Sequence, residues 1–487
     1  MSEDTAMTHT TKLLALAGVA LLMPLASCND PLRVTIPDIV TPGQLNDPSA
    51  LATVRAGAIG DFAVAYSGDH PDGSGGTGAS EGVIMYGGLL ADEWINSETF
   101  PTRIEVDGRA IHATNSDVDL WFRKLHQSRR SAEVAAGRYA SAAPDDAAYP
   151  ELLTLAGFTY VFFAETYCSG VPVSQLSPDG TITYGRPLTT SELLDTAIAR
   201  FDVALTAAAA LDTSGTSAAA RAPKVALRKN RLDFASVGKA RALLDLGQFA
   251  NAGTVASSVA SSFVYVNEHS ENTDRENNGV FNGNVVDKRY AVADREGTNG
   301  FPFRSVVDPR TPFFRPSGAP GVGFDRTTPQ WDNSRYGSRA APVTVATGVE
   351  ARLIEAEVAY QGGDSTGAFL TDLNEPRGNP SERAYFDPTG AAPAIGVLAP
   401  LTLADETTAG GAVNLLFAER ARWLWLTAHR LGDLRRLIRQ YGRPADALFP
   451  VGTYFKASFS YGVDVNIPVP ITEQNNPSFS GCLDRNP

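Results

Sequence analysis

The stretch Leu415–Tyr441 (LLFAERARWLWLTAHRLGDLRRLIRQY) is the longest helical pattern in the second half of the chain. It contains no proline and one glycine. Side chains suited to a packed face recur every three or four residues, at Leu424, Thr427, Leu431, Leu434 and Ile438. This spacing puts them on one stripe of a helix. The pattern therefore predicts one continuous amphipathic helix that packs its stripe against other helices.

Charged side chains are interleaved with that stripe. Residues three apart touch on a helix surface, and the pairs Arg430–Asp433 and Asp433–Arg436 have this spacing. One interpretation is a solvated charged face. The other is a partly buried ionic clamp that joins this helix to its neighbours, formed by Glu419, Arg430, Asp433 and Arg435. The stretch by itself leaves both interpretations open.

The N-terminus carries a secretion signal. Lys12 precedes the apolar run LLALAGVALLMPLAS, and Cys28 follows it. A basic residue, an apolar run and small residues before a cut are typical of a signal peptide, here residues 1–27. Leu25-Ala26-Ser27-Cys28 resembles a bacterial lipobox, in which the cysteine is acylated and becomes the first residue. An ordinary signal followed by a chance cysteine is the alternative. We expect residues 28–46 to be an extended tether.

Two further cysteines remain in the mature chain. Because secreted proteins fold in an oxidising compartment, we predict a disulfide between Cys168 and Cys482. Two separate buried thiols are the alternative. Two cysteines at this separation do not make a zinc site, and the six histidines form no cluster. The sequence therefore gives no reason to expect a metal or another cofactor.

Composition narrows the class of partner. The chain has 43% hydrophobic residues, which is ordinary for a globular protein, and a net charge of −13. No basic patch spans a domain, which argues against nucleic acid as a partner.

Helical patterns dominate both halves of the chain. We predict a single domain over residues 28–487, with a helical part at 47–260 and a second at 349–441. The segment Ala147–Tyr167 is apolar nearly all round and should be the most buried helix. Two units have the layout of tetratricopeptide-type helical hairpins, Lys239–Val259 and Glu350–Arg377.

The helical parts are interrupted by irregular sequence. Residues 261–348 are rich in Pro, Gly, Asn and Asp, residues 378–410 form a second insert, and residues 442–487 are again loops. Long loops on a rigid frame often carry function, so the first insert is where we expect it.

Two short motifs suggest chemistry but lack its structural context. Gly73, Gly75 and Gly78 have dinucleotide-loop spacing but follow a polar turn rather than a strand. Ser365 lies in a GxSxG pattern that follows an amphipathic helix, whereas a nucleophile elbow follows a strand. We interpret the first as a flexible loop and the second as a hairpin turn.

The order of several segments resembles the SusD/RagB family of outer-membrane nutrient-binding lipoproteins. The resemblance is carried by the lipobox and then by five segments: FTYVFFAETYCSGVPVS, KARALLDLGQFANA, ARLIEAEVAYQGGD, ERARWLWLTAHRLGDLRR and a late NPSF. It covers nearly all of the mature chain. Many members have a further Glu and a Glu-Gly where this chain has Trp423 and Thr427-Ala428, which indicates a divergent subfamily.

The resemblance implies a mostly α-helical, SusD-like fold with tetratricopeptide-type repeats as the scaffold. It implies a lipid-anchored outer-membrane protein, facing the exterior, that delivers an oligosaccharide to a TonB-dependent, SusC-like β-barrel and performs no chemistry. It also favours the clamp as the role of the Glu419 group. Aromatic faces would bind the sugar, and the candidates are Trp94, Trp331 and Tyr336. Alternatives are a scaffold that binds proteins, a binder of peptides, and a hydrolase using Ser365.

Overall fold

The computed structural model describes residues 47–69, 81–177, 179–316, 321–364, 367–379, 395–456 and 459–486. Leu51–Pro487 forms one compact unit, and Met1–Ala50 forms a separate unit. Cys28, the tether, the glycine loop around Gly75, Ser365 and residues 380–394 of the second insert lie outside the described residues.

The fold is mostly helical. Its helices are α1 Leu51–Ser67, α2 Gly82–Leu90, α3 Pro101–Asp107, α4 Ser116–Ala142, α5 Ala148–Thr166, α6 Thr190–Ala210, α7 Ala218–Asp245, α8 Phe249–Ala256, α9 Gly279–Phe281, α10 Gly348–Gln361, α11 Ala368–Gly378, α12 Leu403–Ala409, α13 Ala412–Trp423 and α14 Arg430–Arg439. The expected helical class is confirmed.

The described strands are short and pair two by two, all antiparallel. They are β1 Trp94–Asn96 with β7 Tyr290–Val292, β2 Val171–Pro172 with β5 Pro187–Leu188, β3 Gln175–Leu176 with β4 Ile182–Thr183, β6 Val264–Asn267 with β10 Val343–Thr347, and β8 Phe313–Phe314 with β9 Asp332–Asn333.

Consecutive long helices pack against each other as hairpins. Helix α5 is buried along nearly its whole length, as its uniformly apolar sequence predicts. Phe201 of α6 lies where α5 and α7 come close. A Cβ added at Gly157 or at Gly238 would lie 2.5 Å from its ring. Glycine at both positions therefore permits the close approach of three helices.

The predicted helix Leu415–Tyr441 is broken, and this prediction was wrong. Helix α13 ends at Trp423 and α14 begins at Arg430. Between them Leu426 and Ala428 adopt positive φ angles of 55° and 60°, which costs of order 1–3 kcal/mol for each. Tertiary contacts compensate, since buried side chains bind the backbone of the break.

Four backbone groups at the break have partners far away in sequence. Glu93 Oε1 accepts a hydrogen bond from Leu426 N at 2.9 Å. The carbonyl oxygens of the break accept the others, from the side chains of Tyr336, Tyr66 and Arg241. These bonds replace the helical ladder, so the break is fixed by residues far away in sequence.

The four residues proposed as a clamp are all buried, but they do not form one lattice. Arg430 binds Asp92 at 2.7 Å, whereas Glu419 binds Arg310 at 2.6 Å and Arg377 at 2.8 Å. Each of these pairs joins α13 or α14 to a different part of the chain.

Arg435 is the exception in the proposed clamp. Its Nη1 donates to the carbonyl oxygen of Ala164 at 2.8 Å, and its Nε and Nη2 have no hydrogen-bond partner. Burial lowers the pKa of Arg435 to about 9. Within the described residues Arg435 forms no ion pair, so its assignment to the clamp was wrong.

Candidate ligand-binding surface

Two of the three aromatic candidates from the sequence are inside the protein. Trp94 is 0% exposed and Tyr336 is 2% exposed. The Trp94 ring lies against α2, so close that a Cβ at Gly88 would be 2.5 Å from it. The Tyr336 hydroxyl donates to the carbonyl oxygen of Leu426. Neither ring can stack on a ligand, and both assignments were wrong.

Trp331 is only partly buried, but its ring is already in contact with other side chains. The guanidinium carbons of Arg304 and Arg315 lie 4.4 and 5.7 Å from its centroid, and Phe313 contacts it edge-on at 5.7 Å. The ring of Trp331 is therefore less exposed than a surface ring and packs against side chains of the protein itself.

The structure instead exposes a pair of phenylalanines that the sequence did not single out. Phe100 is 44% exposed and Phe324 is 48% exposed, and their rings stack with centroids 6.2 Å apart. The guanidinium carbon of Arg289 lies 5.3 Å from the first ring and 5.2 Å from the second. We call Phe100, Phe324 and Arg289 the aromatic shelf.

Buried groups hold the shelf in place. Glu98 is 0% exposed, and its carboxylate binds Arg289 at 2.8 Å and Arg103 at 3.2 Å. Burial raises the pKa of Glu98 even though both arginines oppose the shift. Phe324 N donates to the carbonyl oxygen of Lys288 at 2.8 Å. Both the cation and the second ring are thus fixed before any ligand arrives.

A C-terminal loop extends the apolar surface. Its Phe455 and Phe459 are 44% and 41% exposed. Lys456 ties the loop to the shelf, since its Nζ lies 2.8 Å from Asn96 Oδ1 and 2.8 Å from Asp325 Oδ2. The Phe459 ring would contact a Cβ at Gly108, beyond the end of α3. Phe100 lies at the other end of this seven-residue helix, and such a helix spans roughly 10 Å.

A buried carboxyl pair lies beneath the loop. Tyr454 donates to Asp107 Oδ2 at 2.7 Å, and Tyr461 donates to Glu296 Oε1 at 2.9 Å. Asp107 Oδ1 and Glu296 Oε2 are buried and have no hydrogen-bond partner, which disfavours charge on both carboxyl groups. Burial raises the pKa of Asp107 to about 6 and raises the pKa of Glu296 well above its ordinary value, with repulsion from Asp107 adding to the second shift.

The pair predicts a pH dependence of stability. Its pKa values are raised in the folded state, so its stabilising effect is complete below about pH 4 and is lost as the pH rises through the folded-state values. A glutamine at position 296 can still accept the hydrogen bond from Tyr461 and cannot ionise. Glu296→Gln should therefore reduce the loss of unfolding free energy between pH 5 and pH 8 by of order 1 kcal/mol. Urea unfolding at both pH values measures this.

The matched control is Glu271→Gln, which removes an exposed carboxylate. It should leave the difference between the two pH values as in the wild type. If Glu296→Gln also leaves that difference unchanged, Glu296 does not have the raised pKa that its burial implies.

The described residues contain neither a candidate metal-ion cluster nor a candidate membrane-spanning helix. Among those residues no group of three or more His, Cys, Asp or Glu side chains could hold a metal ion. None of the described helices is long and apolar enough to cross a membrane.

A local signal for the shelf exists in the sequence. Phe100 directly precedes Pro101, which opens α3, and Phe324 follows Gly323 in a tight turn. A Cβ at Gly323 would lie 2.3 Å from Ser97 Cβ, so the turn packs closely while the next ring points outward. Large aromatic rings in Pro- and Gly-rich turns are candidates for exposure. The candidates predicted from the sequence were two tryptophans and a tyrosine, so they did not include these two phenylalanines.

No protein-family model and no curated protein sequence matches the chain, but solved structures share its fold. A SusD/RagB family protein from Bacteroides thetaiotaomicron aligns with a TM-score of 0.59 at 12% identity, over 87% of this chain and 94% of that one. A laminarin-binding SusD-like protein aligns with a TM-score of 0.53 at 13% identity, over 90% and 99%. Surface glycan-binding protein A from Bacteroides uniformis gives 0.55 at 12%, over 90% and 99%. The chain therefore has the SusD-like fold.

Proposed function

We propose that this chain of SusD-like fold binds an oligosaccharide at its surface and passes it to a TonB-dependent, SusC-like β-barrel transporter. The observation that carries the proposal is the aromatic shelf, in which two half-exposed rings lie beside a guanidinium group held by Glu98. Aromatic faces with a few polar groups are the usual make-up of small-ligand sites. Two proteins of the same fold are named for binding laminarin and for binding glycans.

The proposed cellular location follows from the N-terminus. Acylation at Cys28 would anchor the protein to the outer membrane, with the shelf exposed to the exterior. Several acyl chains hold a protein on a bilayer where one chain does not. Purification from outer membranes tests both parts of this proposal. A chain that is not acylated, or that never copurifies with a large β-barrel protein, would contradict them.

The proposed role is capture and release without bond cleavage. A peptide could also stack on aromatic rings and bind Arg289, so peptides belong in the same ligand screen. A rise in melting temperature with a peptide mixture, and none with any glycan, would identify the peptide alternative as correct.

The aromatic shelf predicts which substitutions weaken glycan binding. Phe100→Ala combined with Phe324→Ala should weaken glycan affinity by roughly tenfold to a hundredfold, since each aromatic contact contributes about 0.5–1.5 kcal/mol. Both rings are about half exposed, so the fold should tolerate the change. Calorimetric titration with a panel of soluble glycans that includes laminarin measures the affinity.

Tyr184→Ala is the matched control, because this ring is 46% exposed and is not part of the shelf. It should bind like the wild type. Equal affinity in the control and in the double variant, at an unchanged melting temperature, would place the ligand site elsewhere on the molecule.

A further inference from the structure

The first turns of α7 stand out from the rest of the surface by their charge. Residues 213–232 contain five cations and no acidic residue, whereas the whole chain has a net charge of −13. The cations are Arg221, Lys224, Arg228, Lys229 and Arg231. We call this segment the basic tip.

The basic tip is unusually open to solvent. Residues 214–227 are exposed without interruption, including the apolar side chains of Val225 at 51% and Leu227 at 43%. An uninterrupted exposed stretch of this length in a helix means that no neighbouring element covers either side. The tip is therefore convex, with no groove or pocket of its own.

Internal ion pairs neutralise only part of its charge. Lys224 binds Asp212 at 2.6 Å, Lys229 binds Asp233, and Arg231 binds Glu151 at 3.1 Å. Arg221 contacts only the carbonyl oxygen of Gly215 among its described hydrogen-bond partners, and no ion pair of Arg228 occurs among the described residues. The tip therefore keeps an excess of two positive charges.

Helical spacing places three of these cations together. Arg221, Lys224 and Arg228 lie three and four residues apart, so they share one face of α7. A convex helix with several cations on one face fits a flat anionic surface better than it fits a small ligand. At physiological salt, electrostatic interactions are screened beyond about 8 Å. The excess positive charge of the basic tip therefore determines what binds there, although the whole protein is acidic.

We infer that the basic tip docks on the phosphate groups of a lipid bilayer. Basic helical segments bind such surfaces by charge. The contact would add an orienting interaction to the acyl anchor proposed at Cys28, and it does not depend on glycan binding at the shelf. A nucleic acid or an acidic protein is the competing occupant.

The test uses the chain from residue 29 onward, which lacks the acyl chains and keeps the compact unit Leu51–Pro487. It should cosediment with phosphatidylcholine vesicles that contain phosphatidylglycerol, and not with pure phosphatidylcholine vesicles. Arg221→Gln, Lys224→Gln and Arg228→Gln together should weaken binding on the order of a hundredfold, since each basic residue near the surface contributes about fivefold. Added salt should have the same effect.

The matched control changes three cations of α4 instead, by Arg123→Gln, Lys124→Gln and Arg130→Gln. It alters net charge equally and should retain vesicle binding. Circular dichroism and urea unfolding show that both triple variants are folded, which keeps this test independent of glycan binding at the shelf. Equal loss in the control, absence of wild-type binding to anionic vesicles, or binding only to RNA or to acidic protein would each overturn the inference.

Discussion

Replacing Asp433 with alanine should lower the free energy of unfolding by roughly 3–5 kcal/mol, because it leaves buried guanidinium groups without their carboxylate. Asp433 is 4% exposed and binds Arg420 at 2.8 Å and Arg436 at 2.9 Å. Burial alone would raise its pKa, but the two arginines outweigh burial and hold the pKa below its ordinary value. The carboxylate is therefore charged in the folded protein at neutral pH.

The two arginines depend on Asp433 to different degrees. Arg436 also binds Glu357, at 3.1 Å through Nη2, so it keeps a partner in the variant. Arg420 binds Asp433 through Nε and Nη2, and its Nη1 has no hydrogen-bond partner. Most of the loss should therefore fall on Arg420. The double variant Arg420→Leu, Asp433→Leu should be more stable than Asp433→Leu alone, since a buried apolar pair needs no counter-charge.

Urea unfolding of the single and double variants measures these differences. The control is Asp202→Ala, which breaks an ion pair with Lys239 at a position where Asp202 is 51% exposed, and it should cost less than about 1 kcal/mol. The folded fraction of Asp433→Ala should still bind glycan. A stable Asp433→Ala protein that has lost its ligand would assign this helix to the binding site instead.

Local sequence predicted the helices that pack by a continuous apolar face. Helix α5 is apolar on every side and α6 begins with the Thr189–Glu192 capping box, so both could be placed without knowledge of the rest of the chain. The segment before Asp233 is rich in Ser, Ala and Gly, yet it is helical from Ala218. Alanine, arginine and lysine are strong helix formers, so residue propensity accounts for the early start of this helix.

Non-local contacts explain what the sequence could not predict. Helical propensity runs unbroken through Leu424–His429, yet the chain leaves the helix there because Glu93, Tyr336 and Arg241 bind its backbone. The aromatic shelf also depends on contacts between residues far apart in sequence. Phe100 and Phe324 are 224 residues apart in sequence, and they meet because Ser97 and Lys288 bind the turn that carries the second ring.

Removing the bond between Cys168 and Cys482 should destabilise the protein by up to about 5 kcal/mol, since it closes a loop of 314 residues in the unfolded chain. The structure joins the two residues with their Cα atoms 5.8 Å apart. Cys168 follows the most buried helix and is 1% exposed. The bond therefore fastens the C-terminal tail to the centre of the helical scaffold.

Backbone hydrogen bonds also hold the C-terminal tail, and they determine how much of this loss of unfolding free energy is observed. Ser169 N donates to the carbonyl oxygen of Asp484 at 3.1 Å, and Leu483 N donates to that of Ser169 at 2.8 Å. If these bonds hold the tail in the Cys168→Ala, Cys482→Ala variant, unfolding remains one cooperative step with a lower urea midpoint. If they fail, the tail separates first, and hydrogen exchange at Leu483 becomes fast while the helices stay protected.

Peptide mapping without reductant provides the direct check, because the wild type should yield one linked peptide that contains both cysteines. Two free thiols would refute the bond. Cys482→Ala alone exposes the remaining thiol to any disulfide partner, so the double variant is the appropriate stability measurement. An unchanged unfolding free energy in that variant would mean that the backbone hydrogen bonds of the tail, rather than the covalent link, fasten it to the scaffold.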